Sequence, residues 1–287
     1  MSTLRNCLLA TTLLLTGLTQ PAFSADNSAA LAQVIANRSA EDKARDAARH
    51  PQETLEFFQI TPGMTVVEVL PGGGWYTKIL ANYLGADGAL YGANYADRMW
   101  PMLRSGDPQW TAERIAATSN YPAEVAVLTD NGISARGFTL ETVPPEINGT
   151  VDRVVMIRAL HNLNRFDEAA GTRTKALASI YQMLKPDGLV GVVQHRAPES
   201  ASGAWADGSH GYMNEAAVIV MFEEAGFELV ADSEINANPL DQPGAEDSVW
   251  RLPPSLRGNE DDPKKQAAMQ AIGESDRMTL LFRKAPN

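Results

Sequence analysis

Val66-Val67-Glu68-Val69-Leu70-Pro71-Gly72-Gly73-Gly74-Trp75-Tyr76-Thr77 decides the reading of this chain. The β-branched start has the composition of a strand buried on both faces, and an acid and three glycines follow before a helical pattern begins. Glycines between a parallel strand and a helix let the backbone approach a ligand closely, because no Cβ intervenes and positive φ is accessible. Glu68 offers a fixed acceptor for an ammonium or hydroxyl group, where a phosphate-cradling loop uses a lysine or bare amides. The stretch therefore points to a nucleoside ligand with a charged amine.

Working outward, β and α patterns alternate. Thr61-Pro62-Gly63 is a turn into a strand over Thr65–Leu70, and Trp75–Leu84 reads as a helix with Ile79, Leu80 and Tyr83 at helical spacing. Further strands are expected over Ala89–Ala93, Val125–Leu128, Val151–Leu160, Leu189–Val193, Glu228–Asp232 and Met278–Lys284, with helices over Gly171–Leu184 and Asn214–Ala225. Upstream, residues 25–60 form an N-terminal helical segment that His50-Pro51 breaks, and residues 236–276 are an insertion before the last strand that forms a flap or an edge cover.

The Glu68 loop resembles the first motif of class I S-adenosylmethionine-dependent methyltransferases, acid-x-Gly-x-Gly-x-Gly. Glu68, Gly72 and Gly74 occupy three of its four positions and Leu70 stands at the fourth. Leu184-Lys185-Pro186-Asp187-Gly188 matches the turn that precedes the family's fifth strand, and Ala225-Gly226-Phe227 is similar to the lead into its sixth. The resemblance implies an α/β, Rossmann-like class I methyltransferase fold over residues 61–287: a seven-stranded, mostly parallel sheet with helices on both faces and the last strand antiparallel. It also implies S-adenosylmethionine as cofactor and a small-molecule O or N acceptor.

Ligands of open α/β sheets bind at the carboxyl ends of the strands, so the residues just after each strand are the site candidates. Glu68, Gly72, Gly73 and Gly74 are the first cofactor-binding set. Asn94 stands where the family places an acid on the cofactor ribose, with Asp97 as a substitute; Asn94 equally reads as a loop cap. Asp130, after the expected third strand, matches the position that contacts the adenine amino group and also reads as the start of an Asp-Asn-Gly turn. His161, in the segment Arg158–Leu163, is the first candidate for a general base and His195 the second, each with a structural reading beside it. Arg196 either clamps an anionic acceptor or pairs with surface carboxylates. Trp100, Trp110, Tyr121, Trp205, Tyr212 and Trp250 fall in or near the loops that would roof the pocket. No metal-ligand spacing, nucleophile elbow or Walker lysine is present.

The chain of 287 residues carries 24 Lys and Arg against 35 Asp and Glu, a net charge of −11 that argues against nucleic acid or an anionic membrane as partner. Arg5, the apolar run from Cys7 to Leu18, and Ala22-Phe23-Ser24-Ala25 have the layout of a secretory signal peptide over residues 1–24. The run is short of the roughly 20 residues that span a bilayer. A secreted or periplasmic location follows as an expectation, with no cysteine and no membrane insertion in the mature chain. Two functions stand: a methyltransferase, or an exported non-catalytic binding or scaffold protein that keeps the fold. A NAD-dependent oxidoreductase fares worse, because Gly72-x-Gly74-x-x-Thr77 lacks the last glycine of the dinucleotide fingerprint.

Overall fold

The computed structural model describes residues 23–286. The expected leader lies outside the described residues except for Phe23 and Ser24. Helix α1 (Ala25–Ala36) starts where the Ser24 hydroxyl accepts from the Asn27 amide. Short helices α2 (Ala40–Lys43), α3 (Asp46–Arg49) and α4 (Pro51–Phe57) follow, and the expected break at His50 is a left-handed residue with φ +41°.

The chain then alternates: β1 (Thr65–Val69), α5 (Thr77–Leu84), β2 (Ala89–Asn94), α6 (Trp100–Leu103), α7 (Pro108–Leu128), β3 (Ser134–Thr139) and β4 (Val151–Ile157). Helices α8 (Leu160–Arg165), α9 (Asp167–Ala170) and α10 (Thr172–Met183) lead to β5 (Leu184–His195), α11 (Glu215–Glu224) and β6 (Phe227–Ser233). The insertion carries α12 (Pro263–Ile272) and ends at β7 (Arg277–Lys284).

One seven-stranded sheet results, in the order β3-β2-β1-β4-β5-β7-β6, with β7 antiparallel to both neighbours and the other pairs parallel. Strand side chains alternate between two cores. Val67, Val69, Val154, Met156, Val190 and Val192 face α8, α10 and α11, whereas Val66, Val155, Leu189 and Val193 face α1, α4, α5 and α7. Because both faces are buried, polar chemistry concentrates at the strand ends. The strand order reverses between β1 and β4, and their carboxyl ends flank the switch point where open sheets bind ligands.

One expected strand is wrong. Val125–Leu128 is the last turn of the 21-residue helix α7, and the third strand is Ser134–Thr139 instead. A short apolar run cannot be told from a helix segment by periodicity, and Pro122 sits inside the helix. The true strand, Ser-Ala-Arg-Gly-Phe-Thr, is an edge strand with its first half largely uncovered. The Leu184–Gly188 turn survives as an irregularity: pairing steps from Val151–Leu184 to Arg153–Leu189, so residues 185–188 bulge out of β5.

Helix α7 lies very close to β2 and β3. A Cβ at Gly137 would meet the Thr118 carbonyl at 1.7 Å, and one at Gly92 would meet the Tyr121 ring at 2.7 Å. Gly137→Ala is therefore expected to destabilise the fold by about 1–3 kcal/mol through overpacking. Gly203→Ala, where a Cβ meets nothing within 4 Å, should stay within about 0.5 kcal/mol of wild type. Urea denaturation of the two variants side by side checks this, and equal midpoints would refute the close approach.

Candidate functional site

The loop after β1 is built from alternating left-handed residues: Leu70 at φ +54°, Gly72 at +60° and Gly74 at +73°. Leu70 donates its amide to the Ala93 carbonyl at 2.8 Å and Gly74 donates to Pro71 at 3.0 Å, which closes the turn into α5. The helix starts at Thr77, two residues later than expected, so Trp75 and Tyr76 belong to the turn. Leu70 is left-handed although it carries a Cβ, at a cost of about 1–2 kcal/mol. A Cβ at Gly73 meets nothing within 4 Å and one at Gly72 only the Leu70 carbonyl at 3.8 Å. Backbone conformation thus favours glycine at 72 and 74, and residues 72 and 73 face open space.

Glu68 lies beneath this loop, 5% exposed. Its Oε2 accepts from the Thr77 hydroxyl at 2.6 Å and from the Tyr121 hydroxyl at 3.4 Å. Burial pushes its carboxyl up to about 7, and these two donors only partly offset that. A cationic group brought next to Glu68 would favour the carboxylate, the behaviour of an acceptor for a charged amine.

Asn94 ends β2 and is buried. Its amide nitrogen donates to Thr118 in α7 at 3.0 Å, so one donor is spent tying strand to helix and the side-chain oxygen is left to accept. Asp97 is exposed. Asp130 is a correction. It is exposed in the connection from α7 into β3, at the amino end of a strand parallel to β1, and so lies at the sheet edge opposite the glycine loop. The error follows directly from the misplaced third strand.

The two histidines come together. His161, in the first turn of α8, has its ring centre 5.5 Å from that of His195 at the end of β5. The Gln194 side-chain oxygen accepts the His161 amide at 3.3 Å and lies 3.3 Å from its Nδ1, and the His195 Nδ1 is 2.6 Å from the Ser275 hydroxyl. Both rings are buried. Burial lowers His161 to about 4 and His195 well below the usual imidazole value, with His161 and nearby arginines adding to the latter. Both are neutral at pH 7, the form that accepts a proton.

Residues of the insertion lie against this pair. Trp250 packs edge-on to His161 at 6.0 Å and Ser275 reaches His195. Its anchor is Asp241, whose carboxylate accepts from Tyr212 at 2.9 Å, from Arg251 at 2.7 Å and from the Asp276 amide at 3.0 Å. Arg196 takes the structural option: it pairs with Asp276, Glu215 and Glu234. Among the aromatic residues, Trp100 and Trp110 pack edge to face and Trp205 stacks on Tyr212, while Tyr121 lies under Glu68.

Two features escape sequence reasoning. Tyr95, fully buried just after β2, donates its hydroxyl to the Ala159 carbonyl just after β4 at 2.6 Å. Since β1 lies between those strands, the side chain crosses its carboxyl end. Arg49, Arg158 and Arg277 also converge on this edge, drawn from α3, the end of β4 and the start of β7. No local pattern links them; the only signal is that Arg158 immediately follows a strand. Arg49 and Arg38 lie over the Trp75 ring at 4.5 and 4.9 Å, which fastens the N-terminal helices to the glycine loop. Among the described residues no group of His, Asp, Glu or Cys is arranged to hold a metal, and no helix is long and apolar enough to cross a membrane.

No protein-family model and no curated protein matches the sequence. Solved structures do match in shape. The cyclase SpnF aligns with a TM-score of 0.52 at 15% identity, covering 91% of this chain and 94% of its own. A structure of the Haloferax volcanii Trm112 methyltransferase activator in complex with a protein assigned as a methyltransferase gives 0.50 at 16%, covering 89% and 96%. A protein assigned as a sarcosine dimethylglycine methyltransferase from Galdieria sulphuraria gives 0.50 at 14%, covering 88% and 89%. At these identities the likeness concerns architecture: the chain has the Rossmann-like class I methyltransferase fold.

The raised Glu68 carboxyl has a consequence for stability. Its folded value lies above the ordinary one, so the folded state holds the proton more tightly; the contribution to stability is complete below about 4.5 and is lost as pH rises through 7. Glu68→Gln, which keeps an acceptor for Thr77, is expected to gain on the order of 2 kcal/mol relative to wild type between pH 5 and pH 8. Urea denaturation at both pH values measures the gain, and a difference independent of pH would contradict it.

Proposed function

We propose that this protein is an S-adenosylmethionine-dependent methyltransferase that acts on a small-molecule O or N acceptor, and that it works outside the cytoplasm after loss of residues 1–24. The observation that carries the reading is the loop after β1, left-handed at residues 70, 72 and 74, open to a ligand, and underlain by the buried acceptor Glu68. Glu68 would take the amine of the methionine moiety, and Gly72, Gly73 and Gly74 would let the chain pass close to it. The side-chain oxygen of Asn94 would accept from a ribose hydroxyl, and as a neutral group it binds less strongly than the usual acid. The cofactor supplies an electrophilic sulfonium methyl group.

What the protein adds is mainly position and exclusion of water. His161 and His195, neutral and shielded by Trp250 and Ser275, are the groups able to take a proton from a hydroxyl or ammonium acceptor. Burial keeps them unprotonated, and it also makes them weak bases until a ligand changes their surroundings.

Two observations favour the second reading, a binding protein that keeps the fold without transfer: the Leu70 side chain at a position the family gives to glycine, and Tyr95 spanning the end of β1. Calorimetric titration with S-adenosylmethionine, S-adenosylhomocysteine and NAD separates the alternatives. Micromolar binding of the first two and none of NAD is expected. Gly72→Val and Gly74→Val, which force a β-branched residue into the left-handed region, should each weaken S-adenosylhomocysteine roughly 10- to 100-fold with the circular dichroism spectrum kept. Unchanged affinity in both variants would sink the methyltransferase reading. No binding by wild type would favour the second one.

A further inference from the structure

Three arginines share one carboxylate at the carboxyl edge, and a fourth lies nearby. Glu274 Oε1 accepts from Arg45 Nε at 2.6 Å and lies 3.4 Å from Arg49 Nε, and its Oε2 lies 3.3 Å from Arg277 Nη1. Arg158 is close enough to feel Glu274 yet forms no ion pair with it, and its side chain donates no hydrogen bond among the described residues. The Nε atoms of Arg49 and Arg158 are buried without hydrogen-bond partners. Asp276, the other acid near Arg277, is committed to Arg196.

Positive charge is therefore in excess where water is scarce. Arg49 and Arg277 are each 3% exposed, whereas Arg158 is only half-buried. Burial, with repulsion from neighbouring arginines, brings Arg49 down to about 9 and Arg158 to about 10. A buried charge lacking a partner is destabilising unless a counter-charge arrives. Arg158 is also held at φ +57°, a strained conformation of the kind that collects at functional positions. Tyr76, the residue after Trp75 of the glycine loop, donates to the Arg49 carbonyl at 3.4 Å, and Arg277 pairs in register with His195.

We propose that Arg158, backed by Arg49 and Arg277, receives the carboxylate or phosphate group of a small acceptor molecule. The planar guanidinium fork suits such an oxyanion. Its place beside His195, beyond the switch point from β1, fits an acceptor better than the methyl donor. The inference rests on the reading that this edge binds a ligand, and not on the identity of the donor.

The test is titration of wild type and of Arg158→Gln, Arg158→Lys and Arg104→Gln with inorganic phosphate and with succinate at fixed ionic strength. S-adenosylhomocysteine and methylthioadenosine, which lacks the amino-acid group, are titrated in parallel. Arg158→Gln should weaken at least one of the two anions roughly 10- to 100-fold. Arg158→Lys should fall in between, and Arg104→Gln, an exposed arginine paired with Asp107, should bind as wild type. The melting temperature of unliganded Arg158→Gln should equal or exceed that of wild type, since a repelled cation has been removed; an arginine that only supports the fold would lower it. Absence of anion binding by wild type, or equal binding by wild type and Arg158→Gln, would overturn the proposal. So would a loss confined to S-adenosylhomocysteine, which would assign the arginines to the donor's carboxylate. If neither S-adenosylhomocysteine nor methylthioadenosine binds while the anion arm behaves as expected, the methyl-donor reading fails and this one stands.

Discussion

A parallel sheet covered on both faces leaves its polar groups nowhere to act except at the strand ends. Here the strands flanking the order reversal, β1 and β4, end in two left-handed residues that carry side chains, Leu70 and Arg158. Each turns the backbone sharply at the same edge, one into the glycine loop and the other toward α8. Their amides are fixed by neighbouring strands, Leu70 to Ala93 of β2 and Arg158 to Val193 of β5. Strain at these two points is thus held in place by the most buried part of the molecule, and Glu68, Tyr95, the histidine pair and the arginine cluster are all positioned relative to it.

The electrostatics of this edge run against those of the chain. A net charge of −11 keeps the protein as a whole acidic, yet Arg45, Arg49, Arg158 and Arg277 gather around the single carboxylate of Glu274. Long-range attraction of an anion is opposed by the overall charge and screened beyond about 10 Å by salt. Capture would therefore depend on short-range hydrogen bonds to guanidinium groups in a water-poor site, an arrangement that rewards shape and bidentate geometry over charge alone.

The parts legible in the sequence were those written in local chemistry. Val66 to Thr77 gave the strand, the glycine turn and the buried acid, and the Leu184–Gly188 turn located the fifth strand. The third strand was hidden because Ser134–Thr139 lies at the sheet edge with small and polar residues, while the apolar Val125–Leu128 belongs to a helix. Asp130 followed that error to the wrong edge. His161 and His195 were each legible as residues after a strand, but their contact depends on strands four and five lying side by side. The arginine cluster draws on Arg49, Arg158, Glu274 and Arg277, positions more than 200 residues apart at the extremes. Only the closing of β7 between β5 and β6 brings them together, and no spacing rule reaches that far.

The arginines and the histidines form one electrostatic unit. Burial is the largest cause of His195 being a poor base, and after His161 the next causes are Arg158, Arg277 and Arg49. An oxyanion placed against those guanidinium groups would cancel part of the repulsion that an imidazolium at His195 meets, and so would raise its basicity. Before binding, the site holds a neutral imidazole too weak to trap a proton from solvent. With an oxyanion bound, the same ring would gain proton affinity beside the acceptor that brought the charge. Coupling of this kind would tie proton removal to the presence of the correct acceptor, with Ser275 and Trp250 holding the two rings in place throughout.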